Sequence, residues 1–106
     1  MEKLELAWSA GFFDGEGWVG VRVEKYPRLM IRQVSPLVLY RFQKAMGGIG
    51  NITGPYVQLS NSTTPVWQYQ VDGLNKVQHV ICCMWNWLSP VKREQAKNTL
   101  LKVRVA

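Results

Sequence analysis

Residues 8–18 read Trp-Ser-Ala-Gly-Phe-Phe-Asp-Gly-Glu-Gly-Trp. Upstream and into this stretch, Leu4, Ala7, Trp8, Gly11 and Phe12 recur at the spacing of one helix face. The spacing predicts a helix over Leu4–Phe13 that stops at Gly15 and Gly17. A stop explains the glycines, which suit the position just past a helix end. It leaves Asp14 and Glu16 unexplained, because a carboxylate at a helix C-terminus opposes the dipole at a cost of about 0.3–1 kcal/mol. The alternating acids and distal Glu of a calcium loop are missing. A hard divalent cation such as Mg²⁺ would favour these acids, since it takes a few carboxylate oxygens and keeps its water. One chain offers little more than one such acid. Ala7 and Gly11 lie four apart on one face, with Ala10 beside them, and small residues let two helices approach closely. A two-fold dimer built on that face would bring two Glu16 carboxylates near its axis. Metals paired there would clamp the attacking and leaving oxygens of an in-line phosphodiester displacement.

Downstream the pattern switches period. Gly17–Tyr26 alternates, with Val19, Val21 and Val23 on one side and Trp18, Gly20, Arg22 and Glu24 on the other. Pro27 breaks this strand, and Arg28–Gln33 continues as a second, with Leu29 and Ile31 inward and a hairpin turn near Lys25–Pro27. Ser35-Pro36 is a helix start, with Ser as N-cap and Pro at the first position. That helix runs to about Met46 and stops at Gly47-Gly48. A third strand over Gly50–Gly54 turns Ile52 inward and Asn51 and Thr53 outward. A polar loop leads to a fourth strand, Val66–Val71, with Trp67, Tyr69 and Val71 on one face and Gln68 and Gln70 on the other. Asp72 is expected to cap a helix reaching Leu88, and Ser89-Pro90 to open a last helix ending near Val103.

Helix, two strands, helix, two strands and two helices give an α+β fold: a four-stranded antiparallel sheet with helices on one face. The uncovered face would carry Trp18, Arg22, Glu24, Arg28, Met30, Arg32, Asn51, Thr53, Gln68 and Gln70. Arg reads guanine and Gln or Asn reads adenine in the major groove, which strand ribbons can enter. A face that merely met water would carry more Lys, Glu and Thr. Three arginines, an asparagine and two glutamines lean toward base reading, with double-stranded DNA as the partner such a face would take.

Composition agrees. The 106 residues suffice for one domain, spanning 1–106. At 47% hydrophobic and 19% charged the chain reads as globular, and its net charge of +6 favours a polyanion. No apolar run spans a bilayer and the N-terminus has no signal-peptide pattern, so a cytoplasmic protein is expected, or one of an organellar matrix or stroma if organelle-encoded. Neither a membrane nor a small-molecule substrate is expected. Cys82 and Cys83 are the only cysteines, too close for a relaxed disulfide, and with one histidine they make no zinc site.

The stretch Ser9-Ala-Gly-Phe-Phe-Asp-Gly-Glu-Gly17 resembles the LAGLIDADG motif position by position, with Ser9 for the leading Leu and Glu16 for the final Asp. The likeness extends along nearly the whole chain. Ile31-Arg32-Gln33 matches an Ile-x-Gln before the second helix, Gly48-Ile49-Gly50 a Gly-x-Gly after it, and Leu88, Lys92, Gln95 and Ala96 a pattern at the last helix. The chain thus resembles a single-motif LAGLIDADG homing endonuclease, a family often associated with introns.

That resemblance implies a homodimer that cuts both strands of a long, nearly palindromic DNA site across the minor groove, leaving 3′ overhangs. Mg²⁺ is the implied cofactor, with Mn²⁺ or Ca²⁺ able to take its place for binding. Glu16 matches the metal-binding acid, and Gly15 the residue whose carbonyl helps hold the metal. Asp14 matches an acid at the helix-pair interface, Gln33 a residue that positions water, and Lys92 a basic residue near the scissile phosphate. The chain departs from the pattern in carrying Glu at the catalytic acid, and in having Pro36 or Leu37 where a basic residue opens the second helix. Arg32 and Arg41 are the candidates to replace that residue. The alternative on the same fold is an RNA maturase or a DNA-binding regulator, relatives that often lose the acid that Glu16 retains.

Overall fold

The first helix is longer than its apolar spacing suggests: α1 runs Lys3–Glu16, through Asp14 and Gly15. A computed structural model describes residues 2–23, 25–57 and 64–105, with the last two of these described for backbone alone. The glycines do not stop α1 in the expected way. Gly15 is helical, and Gly17 has φ −90° and ψ 160°, an ordinary extended conformation. Gly17 is needed for space instead, because a Cβ there would fall 2.0 Å from the Phe13 ring. The helix therefore hands over without a loop to β1 (Gly17–Arg22).

The β1–β2 turn lies earlier than expected. β1 ends at Arg22, and Val23 is 76% exposed with φ 53°, an uncommon conformation for a β-branched residue. Val23 therefore does not continue the inward row of Val19 and Val21. β2 spans Tyr26–Gln33 and contains Pro27, buried opposite Val21, so Pro27 belongs to the strand rather than breaking it. Its missing N–H is not felt. The Pro27 carbonyl accepts the Gly73 N–H at 3.2 Å, and the Gly73 carbonyl that Pro27 would have faced takes the Val77 N–H at 3.0 Å.

α2 (Pro36–Ala45) starts with Pro in its first turn, although the Ser35 side chain makes no capping bond. It closes with Gly47 and Gly48 at φ 76° and 83°, where the Gly48 N–H reaches the Gln43 carbonyl at 2.9 Å. That left-handed close requires glycine. β3 (Asn51–Tyr56) and β4 (Val66–Asp72) follow. α3 (Leu74–Met84) is entered from Gly73 at φ 96°, so Asp72 is the last strand residue and not a helix cap. A single 3₁₀ turn, Trp85–Trp87, separates α3 from the buried Leu88, which lies outside the helix expected to contain it. In α4 (Pro90–Val105), the Ser89 hydroxyl accepts the Lys92 N–H at 3.3 Å, the N-cap bond expected of Ser before Pro.

The strands form one antiparallel sheet in the order β1-β2-β4-β3, two hairpins joined along β2 and β4. The helices cover one face. Val19, Leu29, Ile31, Tyr69 and Val71 point into it and pack with Phe13, Leu39, Phe42, Val77, Val80, Ile81 and Met84. Each large side chain so buried contributes about 1.5–3 kcal/mol. Tyr69 meets the Phe42 ring edge-on at 5.0 Å and donates its hydroxyl to the Ile49 carbonyl, which pays for burying the phenol; that burial pushes its pKa up. The architecture is the expected α+β sheet with one uncovered face.

Candidate active site and nucleic-acid interface

The two acids at the end of α1 have separate fates. Asp14 accepts the Ser89 N–H at 3.1 and 3.2 Å and the Ser89 hydroxyl at 3.0 Å. It thus satisfies a free amide at the start of α4, whose positive dipole end offsets the negative end of α1. Lys92, in the first turn of α4, donates its ammonium to the Gly17 carbonyl at 2.6 Å and to Gln95 Oε1 at 3.4 Å, above the Phe13 ring. These two ties fasten the start of α4 across the α1–β1 junction. Glu16, between them, is exposed and makes no hydrogen bond or ion pair among the described residues. Among the described residues Glu16 is thus a carboxylate without a partner at the negative end of a helix.

The small residues of α1 divide similarly. Ala10 is fully buried in the chain's own core, between the turns that carry Phe13, so it cannot line a contact with a second copy as expected from sequence. Ala7 is half-buried and Gly11 is exposed. A Cβ on Gly11 or on the exposed Gly15 would meet nothing within 4 Å. Glycine inside a helix costs about 1 kcal/mol relative to Ala, and no contact among the described residues requires it at either position. Asp14 is half-buried and engaged with Ser89, within its own chain.

The open face is ordered by strand register. Asn51, Gln70, Met30 and Trp18 are successive partners across all four strands. Thr53, Gln68 and Arg32 form the row on one side of them, and Asp72, Arg28 and Gly20 the row on the other. Trp18 is 45% exposed, and its ring lies where a Cβ of Gly20 would be, so it spreads over the open face rather than entering the core. Arg22 is exposed at the end of β1, opposite Tyr26. Glu24 lies outside the described residues. The expected face is thus assembled on one side of the sheet.

No protein-family model matches the sequence, and no curated protein matches it significantly. Solved structures do. The homing endonuclease I-CvuI, in complex with its DNA target in the presence of Ca, matches over 95% of this chain with a TM-score of 0.73 and 25% identity. In complex with the I-CreI target in the presence of Mg, the same protein matches over 96% with a TM-score of 0.77 and 24% identity. The LAGLIDADG homing endonuclease I-GzeII, in complex with a DNA target, matches over 94% with a TM-score of 0.70 and 19% identity. This is the LAGLIDADG homing-endonuclease fold. The chain spans about two thirds of the length of I-CvuI (66% and 67% in its two complexes) and 36% of I-GzeII.

On the LAGLIDADG fold the remaining residues can be placed. Gln33 ends β2, half-buried opposite Trp67, two residues beyond the Ile31 that pairs with Gly17. It is therefore at the same end of the sheet as Glu16 and Lys92, but in register with Leu29 and Ile31 rather than with the open-face arginines. Arg41 is committed elsewhere: it holds Glu5 at 2.8 and 3.0 Å and stacks 3.7 Å over Trp8. The hydrogen bond from Arg41 holds the Glu5 carboxyl below its ordinary range. Of the two candidate replacement arginines, only Arg32 lies on the open face. Among the described residues, no three ligating side chains of one chain converge on a metal position. Sequence reasoning missed Asp72, which pairs with Arg28 at 2.6 Å on the open face. The signal was present, since Asp72 follows Gln68 and Gln70 in the period of two.

Proposed function

We propose that residues 1–106 form the half-site unit of a homodimeric, Mg²⁺-dependent, site-specific DNA endonuclease. It hydrolyses both strands of a long, nearly palindromic duplex and leaves 3′ overhangs. The observation that carries this reading is Glu16: exposed, unpaired among the described residues, and one residue from the Gly17 carbonyl that the Lys92 ammonium grips. The complexes of I-CvuI and I-GzeII with DNA targets support duplex DNA as the substrate.

The donor set fits Mg²⁺. The Glu16 carboxylate and the Gly15 carbonyl are hard oxygens on the last turn of α1, and few protein ligands suit an ion that keeps its waters. A bound Mg²⁺ would supply Lewis acidity and an activated water at the scissile phosphate. Lys92 uses two of its three N–H donors on Gly17 and Gln95, leaving one for a phosphate oxygen on which charge develops. Gln33, at the same end of the sheet, is the group proposed to orient the attacking water. At this end of the sheet one copy brings, among the described residues, the single free carboxylate of Glu16, so the full site needs a second copy. The uncrowded backbones of Gly11 and Gly15 are where its α1 would dock, with Ala7 at the margin. On the open face the arginines and amides would meet base edges and phosphates of each half-site.

Glu16→Gln tests the reading. It keeps shape and removes the charge, so cleavage of a selected site should fall at least ~100-fold, metal ions being worth several kcal/mol to such reactions. Sequence-specific binding should persist. Undiminished cleavage by the pure variant would overturn the role of Glu16.

A further inference from the structure

The open face holds one continuous chain of side-chain hydrogen bonds. Arg32 Nε donates to Gln68 Oε1 at 3.0 Å, Gln68 Nε2 to Gln70 Oε1 at 2.6 Å, and Gln70 Nε2 to Asp72 Oδ2 at 2.6 Å. Arg28 Nε closes it on Asp72 Oδ1 at 2.6 Å. Gln68, Gln70 and Asp72 are successive outward residues of β4, and Arg32 and Arg28 are the β2 partners of its two ends. The ladder thus follows from register and the two-residue period of a strand.

The ends of the ladder dictate its middle. A guanidinium only donates and a carboxylate only accepts, whereas each glutamine amide has one end of each kind. Turning Gln70 over would set its oxygen against the Asp72 carboxylate and its amino group against that of Gln68. Turning Gln68 over would set its amino group against Arg32. One orientation of both amides satisfies every link. Reading adenine with glutamine needs a donor and an acceptor in fixed order, and side chains already immobilised lose less entropy on binding. Arg28 is likewise aimed through Nε, with its terminal nitrogens left for a base or phosphate. A carboxylate on a face that meets a polyanion works against affinity, so Asp72 needs a compensating role.

We propose that Asp72 is a positioning residue for sequence reading: it anchors the ladder that orients Gln70, Gln68 and Arg28, and so sets base preference without touching a base. This inference rests on the proposed DNA-facing role of the sheet, and its test separates the two. The full chain and its Asp72→Asn and Asp72→Glu variants are each used to select duplexes from a randomised library, without cleavage. Affinities are then measured for the preferred duplex, its single-base-pair variants and an unrelated duplex. Asp72→Asn removes the acceptor-only end, so discrimination at the affected base pairs should fall roughly 5- to 100-fold. Affinity for the unrelated duplex should rise, because a negative charge is gone. Asp72→Glu, which keeps an acceptor-only end, should retain the preference. A purely structural Asp72 would lower both affinities together, and that result overturns the inference. So does an Asp72→Asn protein that selects the same sequence with undiminished discrimination, while leaving DNA reading intact. A parent chain that binds duplexes with no preference overturns both. Should Asp72→Asn not fold, Gln70→Leu cuts the ladder mid-way. Discrimination should then fall at more than one base pair, and loss confined to a single pair contradicts a shared ladder.

Discussion

Along β2, Leu29 and Ile31 are fully buried under the helices, whereas Arg28, Met30 and Arg32 stand between and beside them on the uncovered face. The same alternation on β4 sends Tyr69 and Val71 inward and Gln68, Gln70 and Asp72 outward. The inward rows obey size and hydrophobicity and are held by packing. The outward rows obey donor and acceptor chemistry and are held by the ladder that Asp72 terminates. On the proposed DNA-reading role of the open face, one strand serves stability and recognition at once, separated only by the two-residue period. If the separation is real, a substitution should affect one property and spare the other.

The largest expected effect is on the covered face. Ile31→Ala empties a fully buried position beside Tyr69 and should cost about 2–5 kcal/mol in urea unfolding. The protein that remains folded should prefer the same DNA sequence. A changed preference at full occupancy of the native state would break the division between faces. Next comes Arg32→Ala on the open face. Stability should stay within about 0.5 kcal/mol of the parent, while discrimination between its preferred duplex and variants falls by about 1–3 kcal/mol. Destabilisation on the scale of Ile31→Ala would place Arg32 with the core instead.

The smallest effect concerns pH. Burial pushes the Asp72 carboxyl up, but hydrogen bonds from Arg28 and Gln70 and the charges of Arg28 and Arg22 outweigh it, leaving the pKa below its ordinary 3.8. A depressed carboxyl contributes stability that is present above its unfolded pKa and lost as pH falls through the folded one. The difference in thermal stability between the parent and Asp72→Asn should therefore hold above pH ~4 and shrink below it. It should be slight throughout, since the Asp72 side chain is 49% exposed. A difference that grows on acidification would contradict the pairing with Arg28.

Local pattern made much of this legible. Alternation places the described open-face residues other than Asp72 on their side, and the spacing around Ser35-Pro36 and Ser89-Pro90 locates two helix starts. What was misread depended on distant partners. Asp72 looked like a helix cap because its guanidinium partner is 44 residues away. Pro27 looked like a break because the groups that make it harmless sit on Gly73 and Val77. Asp14 finds Ser89 across 75 residues. The propensity of Gly15 ends α1 too early, because a helix continues through glycine when its neighbours are anchored, as Phe13 and Asp14 are. Small size groups Ala10 with Gly11, yet Ala10 precedes the buried Phe13 by three and shares its face. Glu16 is visible from its motif, and the structure adds that, of the two acids there, Glu16 is the one unpaired among the described residues.

In the proposed function, two copies of this chain cut duplex DNA symmetrically. The most direct measurement incubates the purified protein and Mg²⁺ with a library of randomised palindromic duplexes and sequences the cut ends. The recovered sites should be cut once on each strand, related by a two-fold axis and staggered to leave 3′ overhangs. Duplexes that are bound but never cut, or cuts on one strand without a symmetry mate, would contradict it.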